Sequence, residues 1–201
     1  MAESNASDRI NRRIVMAARP EGAPRDGDFR LEETAVPEPG AGEMLCRTLF
    51  LSLDPYMRGR MSAAKSYAAP TEIGELMGGG AVSEVLRSNA AGFAPGDIVM
   101  ADSGWQDYWT SDGQGARKLD PDQAPISTAL GVLGMPGMTA YTGLYNIGQP
   151  KAGETLVVAA ASGPVGSLVG QIARIEGLHA VGVAGSAEKC AYVTGELGFD
   201  A

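Results

Sequence analysis

The residues with the clearest chemistry are Ala160, Gly163 and Gly166, an A-x-x-G-x-x-G arrangement inside LVVAAASGPVGSLVG, residues 156–170. Glycine at Gly163 lets backbone approach a pyrophosphate, and glycine at Gly166 lets a helix pack close to a strand. A helix starting here offers free N–H groups and the positive end of its dipole to phosphate oxygens. Turns use glycine for their own reasons, so the triplet carries weight only in its context. About 20 residues further on, where a site for an unphosphorylated ribose places Asp or Glu, the chain reads Gly185-Ser186-Ala187-Glu188-Lys189. No carboxylate stands at Gly185 or Ser186 to repel a 2′-phosphate. Ser186 can donate a hydrogen bond and Lys189 supplies positive charge. This pattern favours NADP(H) over NAD(H). Ser186 also reads as the cap of a following helix and Lys189 as a solvated side chain; a helix start serves both readings.

The elements around the turn supply that context. Leu156, Val157 and Val158 form an apolar run that reads as a buried strand. Val165, Leu168, Val169, Ile172 and Ile175 recur at spacings of three and four, one face of a helix. Ala180–Ala184 reads as the next strand, so strand, turn, helix and strand make a βαβ unit of about 30 residues. Upstream, Ser127–Leu133 and Met138–Ile147 read as helices separated by Gly134-Met135-Pro136-Gly137. Before residue 120 the pattern is short strands and turns: Arg13–Ala18, Phe29–Ala35 with Phe29 and Leu31 alternating against Arg30 and Glu32, Glu43–Leu51, Gly79–Ser88, Gly92–Met100 and Trp105–Ser111. That is a β-barrel or sandwich-like module. The chain is therefore expected to be an α/β protein with two domains, 1–125 and 126–201.

Net charge is −8, which argues against a general nucleic-acid or anionic-membrane surface. Hydrophobic residues make up 44% of 201, enough for a core. Cys46 and Cys190 are the only cysteines and make neither a disulfide framework nor a metal motif. No apolar run reaches transmembrane length, and no signal-peptide core is present. A soluble, reducing, cytoplasmic setting is expected. Residues 1–9, MAESNASDR, read as a loose polar tail.

Tyr56 follows Asp54-Pro55, a turn at a strand end where side chains can face a cleft. Its phenol donates a hydrogen bond without ionising; it also reads as a buried tyrosine closing the β module. Tyr67, in a Ser/Ala/Pro loop, reads as a substrate-mouth residue or as surface packing. Arg58 reads as a partner for phosphate or carboxylate, or as a surface ion pair. The sole histidine, His179, reads as a loop residue, so no Ser-His-Asp constellation is supported.

Several separate motifs, in order, resemble the medium-chain dehydrogenase/reductase superfamily, and within it the zinc-free reductases that include prostaglandin and curcumin reductases. They are Leu51-Ser52-Leu53-Asp54-Pro55-Tyr56-Met57-Arg58, Gly96-Asp97-Ile98-Val99, Gly134-Met135-Pro136-Gly137-Met138-Thr139-Ala140-Tyr141, Ala160-Ala161-Ser162-Gly163-Pro164-Val165-Gly166-Ser167 and Gly185-Ser186-Ala187-Glu188-Lys189. The resemblance runs from about residue 12 to the end. It implies a GroES-like catalytic domain followed by the first half of a Rossmann domain. It also implies NADPH-dependent reduction of the C=C bond of α,β-unsaturated ketones or aldehydes. On it, Gly163, Pro164, Val165, Gly166, Ser167, Gly185, Ser186 and Lys189 contact the cofactor, and Met135 and Thr139 face the nicotinamide. Tyr56, Tyr67 and Arg58 belong to the substrate side, with Tyr56 also the candidate catalytic donor.

The zinc enzymes of the superfamily use a Cys/His set. Here Gly74-Glu75-Leu76-Met77-Gly78 lacks the histidine and Leu53-Asp54-Pro55 lacks the cysteine, so no metal is expected. Chains of this family continue well past Ala201, so the sequence reads as truncated, with the remaining Rossmann strands and a further substrate-site tyrosine missing. Uncovered strand edges imply oligomerisation, and the resemblance suggests a dimer. Two other readings stand beside the enone reductase: a quinone reductase of the same superfamily, and a non-catalytic nucleotide-binding fragment.

Overall fold

Alternating apolar residues build the β-rich half of the chain. The structure, a computed structural model, describes residues 10–201, so the expected tail at 1–9 lies outside the described residues. The chain divides into two compact units, one ending at Ser127 and the other Thr128–Ala201.

In the first unit, strands β1 (Ile10–Met16), β2 (Phe29–Ala35), β3 (Met44–Leu51), β4 (Gly80–Ser88), β5 (Ile98–Asp102), β6 (Tyr108–Ser111) and β7 (Arg117–Leu119) surround one short helix, α1 (Tyr56–Arg60). Five of the strands form an antiparallel sheet in the order β6-β3-β4-β5-β7. β1 and β2 pair as a separate antiparallel ribbon. The ribbon is stitched to neighbouring segments by backbone bonds: Ile14 N–H to Trp105 O (2.9 Å), Met77 N–H to Ile14 O (3.0 Å) and Met16 N–H to Glu75 O (2.9 Å).

Met44, Cys46, Val85, Val99, Ala101 and Trp109 make the sheet's core. Trp109 donates its indole N–H to the buried Ser83 Oγ at 3.1 Å. That bond satisfies both polar groups away from water. A second cluster of Met16, Met57, Met61 and Met77 packs with Phe29, Tyr56 and Trp105, and it seats α1. Burial pushes the Cys46 thiol up to about 12, so it stays a protonated core residue.

Two expectations for this unit are corrected. Leu31 does not face inward: it is 61% exposed, and Glu32 takes the covered position instead. Glu32 accepts from Arg13 (2.8 and 3.0 Å) and Arg30 (2.7 and 3.1 Å), and these guanidiniums, Arg30 first, hold its carboxyl below the usual range. In a two-stranded ribbon with both faces partly wet, a carboxylate shared by two arginines competes successfully for the inner position. The strand β7 was not expected, because Arg117-Lys118-Leu119 has no apolar alternation. Charged residues suit a sheet edge, where only one side of the backbone pairs.

In the second unit, a short 3-10 turn at Ile126–Leu130 leads to α2 (Met135–Tyr141) and a π-helical turn, Thr142–Gly148. Then come β8 (Thr155–Val158), α3 (Pro164–Ile175), β9 (His179–Gly182) and α4 (Ala187–Gly195). β8 and β9 run parallel, from Thr155↔His179 to Val158↔Gly182, with α3 as the crossover. Beyond α4, Asp200 N–H reaches Ala180 O (2.8 Å) and Gly182 N–H reaches Ala201 O (2.7 Å), so the chain returns along the outer edge of β9.

The expected break at Gly134–Gly137 is instead a helix start. Gly134 caps α2, and Pro136 sits in its first turn, where a missing N–H costs nothing. Both glycines are required by close backbone: a Cβ at Gly134 would meet the Ala129 carbonyl, and one at Gly137 the Val132 carbonyl. The helix expected over 127–133 shortens to the 3-10 turn.

Of the apolar face expected of α3, Val169 packs on the core beneath the helix, but most of the face does not. The buried row of α3 is Gly166, Gly170 and Ala173. A Cβ at Gly170 would collide with the Phe199 ring, so only small residues fit there. Leu168, Ile172 and Ile175 instead line a groove of about 640 Å³ with Val132, Leu133, Met138 and Tyr141, and Ile175 is 79% exposed.

Ala160 has φ +48°, one of two non-glycine residues in the left-handed region among the described residues. A Cβ is strained there. Ala160→Gly is expected to stabilise the second unit by about 1 kcal/mol, read as a higher urea midpoint. A lower midpoint would show that the alanine is not strained.

Candidate functional site

The glycine turn begins where β8 ends. Ala161 N–H bonds to Val183 O (3.0 Å) and Val183 N–H to Val158 O (2.9 Å), which ties the turn to both strands. Gly163 N–H closes onto Ala160 O at 2.9 Å, and Gly163 is the N-cap of α3, with no side chain to cap the helix. Pro164 follows without an N–H, so the first-turn amides of Val165 and Gly166 have no intrahelical acceptor. No acidic side chain stands in that turn. Ser167 contributes its N–H to Gly163 O (2.9 Å) and its hydroxyl to Pro164 O (3.4 Å). Gly166 is needed for closeness: a Cβ would meet the Ala160 carbonyl oxygen. Open amides, a helix dipole and a backbone free of side chains fit a pyrophosphate.

At the end of β9, Ser186 Oγ accepts the Lys189 N–H at 3.2 Å, so Ser186 caps α4 as expected. Its hydroxyl hydrogen remains available as a donor. Gly185 is exposed with open space around it, and Lys189 is exposed. Met135 and Thr139 stand one turn apart on α2, both exposed, and Thr139 donates its hydroxyl to Met135 O at 2.8 Å.

In the first unit, Tyr56 is the first residue of α1, which Met57 and Met61 anchor in the methionine cluster. Tyr56, Met57, Arg60, Thr71, Met77, Gly78 and Asp102 enclose a pocket of about 150 Å³. Burial, then Asp102 and Asp54, push the Tyr56 phenol above its usual value, with Arg60 acting the other way. The phenol is thus a protonated hydrogen-bond donor at neutral pH. Asp102 Oδ1 accepts the Gly79 N–H at 2.9 Å. Arg60 donates Nη1 to Ala69 O at 2.8 Å, while its buried Nε has no partner.

Neither of the other two substrate-side candidates lines this pocket. Arg58 spends its guanidinium on the carbonyls of Pro20 (3.1 Å) and Gly22 (2.9 and 3.2 Å), holding that loop rather than lining the pocket. Tyr67 is 86% exposed. Asp102 and Arg60 were not singled out in the sequence. Arg60 stands four residues from Tyr56, one helical turn, which is a usable signal. Asp102 is 46 residues away and arrives only through the sheet.

Among the described residues no three His, Cys, Asp or Glu side chains group as metal ligands. His179 Nδ1 lies 3.3 Å from Asp200 Oδ2. No helix among the described residues is long and apolar enough to cross a membrane.

Comparison with known proteins agrees with this geometry. A family described as the N-terminal domain of oxidoreductase matches residues 12–119. The chain is 58% identical over 190 residues to an NADPH-dependent curcumin reductase of Escherichia coli, covering 94% of this chain and 55% of that protein. It is 48% identical over 183 residues to mouse prostaglandin reductase 1, covering 90% of this chain and 53% of the relative. The crystal structure of CurA from Vibrio vulnificus in complex with NADPH superposes with a TM-score of 0.90 at 55% identity, covering 94% of this chain and 56% of that one. The chain spans about half the length of the curated relatives it matches. An open phosphate turn on a parallel strand pair, preceded by an antiparallel domain that matches the family model, places this chain in the medium-chain dehydrogenase/reductase superfamily, beside the curcumin and prostaglandin reductases.

Proposed function

We propose that this chain is the substrate-binding domain and the first part of the nucleotide domain of an NADP(H)-dependent reductase acting on the C=C bond of α,β-unsaturated ketones or aldehydes. The uncapped start of α3, with Gly163 and Gly166 keeping the backbone bare, carries the reading. Gly163, Val165, Gly166 and Ser167 hold the pyrophosphate, and Gly185, Ser186 and Lys189 receive the 2′-phosphate. Pro164 shapes the turn, and Met135 and Thr139 line the nicotinamide side. When bound, NADPH supplies a hydride to the β-carbon. Tyr56 donates its phenolic hydrogen bond to the enolate oxygen that develops. That donor takes the place of a metal Lewis acid, so the reading is zinc-independent.

The named activities of the relatives support an apolar enone as substrate. A pocket of about 150 Å³ suits the carbonyl end of an enone better than a fused, flat quinone ring system. The reading includes a cytoplasmic protein that associates as a dimer; the exposed Val157 and Val183 beside the strand pair support association.

The test is fluorescence titration of the 201-residue chain with NADPH and NADH, mass by light scattering, and an enone turnover assay. NADPH-selective binding is expected. No binding by a folded chain overturns the assignment of the turn, and binding by an assembly that turns over no enone favours the non-catalytic reading. Gly185→Asp is expected to lower the NADPH/NADH affinity ratio by at least about tenfold, roughly 1.4 kcal/mol, because a carboxylate there faces the 2′-phosphate. The site has room for the side chain, so the fold is unaffected. An unchanged ratio refutes the 2′-phosphate assignment.

A further inference from the structure

The pocket at Tyr56 contains two opposite charges that do not neutralise each other. Arg60 and Asp102 both line it and form no ion pair together. Each is held by backbone instead. Asp102 Oδ1 takes the Gly79 N–H at 2.9 Å, and Arg60 Nη1 takes the Ala69 carbonyl at 2.8 Å. Arg60 Nε is shut off from solvent, so the guanidinium meets the pocket through its other nitrogens. Tyr56 adds a neutral O–H. A guanidinium and a phenol on one small pocket describe a site for a carbonyl or a carboxylate oxygen.

We propose that Asp102 is a specificity residue, which lets this pocket accept the uncharged carbonyl of a ketone or aldehyde and turns away the carboxylate of an unsaturated acid. The inference rests on the reading of the Tyr56 pocket as the carbonyl end of the substrate site. Without Asp102, a guanidinium and a phenol would bind a carboxylate more tightly than a ketone, because charge-assisted hydrogen bonds are the stronger ones. A fixed carboxylate in the same small space reverses that order. A second anion would lose its hydration and meet a like charge, whereas a neutral carbonyl loses little. The bond from Gly79 N–H to Asp102 Oδ1 at 2.9 Å holds the carboxylate at the pocket, so moving it aside costs that bond.

The test uses the full 201-residue chain with isotope-labelled tyrosine rings, and Tyr56→Phe identifies the Tyr56 signal. The probes are butanone and butyrate, matched in size and unreactive toward the exposed Cys190. In the native chain, butanone should move the Tyr56 signal, and butyrate should need at least about tenfold more to do so. In Asp102→Asn, which keeps an oxygen for the Gly79 N–H, butyrate should match or exceed butanone. Asp102→Glu should still reject butyrate, and Asp102→Ser reads the same effect should Asn disturb the fold. Equal binding of both probes by the native chain overturns the proposal. Butanone binding with no gain of butyrate in folded Asp102→Asn or Asp102→Ser overturns it while leaving the substrate-site reading intact. A Tyr56 signal that neither probe moves overturns both.

Discussion

Gly166→Ala is expected to destabilise the second unit by about 1–3 kcal/mol and to weaken NADPH binding with it. The added Cβ points at the Ala160 carbonyl oxygen, with the Ala160 carbonyl carbon and the Ala161 Cα both 3.0 Å away. All three are backbone atoms, and the backbone has nowhere to go. Ala160 O already accepts the Gly163 N–H at 2.9 Å, and Ala161 N–H is committed to Val183 O at 3.0 Å. Relief therefore requires α3 to lift from β8, which moves the open amides away from the phosphate position. Thermal melts and NADPH titration of the same sample check this. Gly195→Ala is the control, because its Cβ meets nothing within 4 Å and Gly195 has no part in the turn. Matching behaviour of the two variants would show that the turn tolerates a side chain at Gly166.

The larger loss is expected in the first unit. Trp109→Ala should cost about 3–5 kcal/mol, a large part of the 5–15 kcal/mol that holds a typical domain together. Trp109 is buried among Met44, Cys46, Val85 and Val99, and its removal leaves a cavity that a five-stranded sheet cannot close. It also strands the Ser83 hydroxyl, which is fully buried and bonded to the indole at 3.1 Å. Urea denaturation followed by circular dichroism measures the change. Trp105, the other tryptophan, stacks on Phe29 with ring centroids 5.6 Å apart and reports on the Tyr56 cluster by fluorescence. Ser83→Ala leaves only the indole N–H unpaired and should cost less, about 1–3 kcal/mol. A Trp109→Ala loss below that of Ser83→Ala would place the core elsewhere.

Both effects depend on contacts between residues far apart in the chain, and that distance separates what was legible from what was not. The strand, turn, helix and strand from Leu156 to Ala184 were legible because each is set by residues within one or two turns of one another. The close packing at Gly166 followed from the same local spacing, as did the cap at Ser186. A bare helix start is a local property, and its ability to hold an anion comes with it.

Periodicity shows that a helix has an apolar side, but not that its partner demands a small one. Leu168, Ile172 and Ile175 formed the more apolar stripe of α3, yet Gly166, Gly170 and Ala173 face inward, because the Phe199 ring fills the space beyond Gly170. Leu31 lost its inward position to Glu32 for a similar reason, since two arginines from different strands converge on that carboxylate. Arg58 looked free for a ligand until the loop carbonyls of Pro20 and Gly22 took its donors.

By itself the sequence determined the order and type of most elements, the bare glycine turn at the start of α3 and the absence of a carboxylate at Gly185 and Ser186, all of which rest on short-range sterics and charge. The tertiary structure alone decided that Asp102 shares a pocket with Tyr56 and Arg60. Asp102 reaches it from the end of β5 and Arg60 from the end of α1, and only the pairing of β4 with β5 brings the two charges to one small volume. Electrostatic character at a site is a sum over neighbours in space, and no spacing along the chain records that sum.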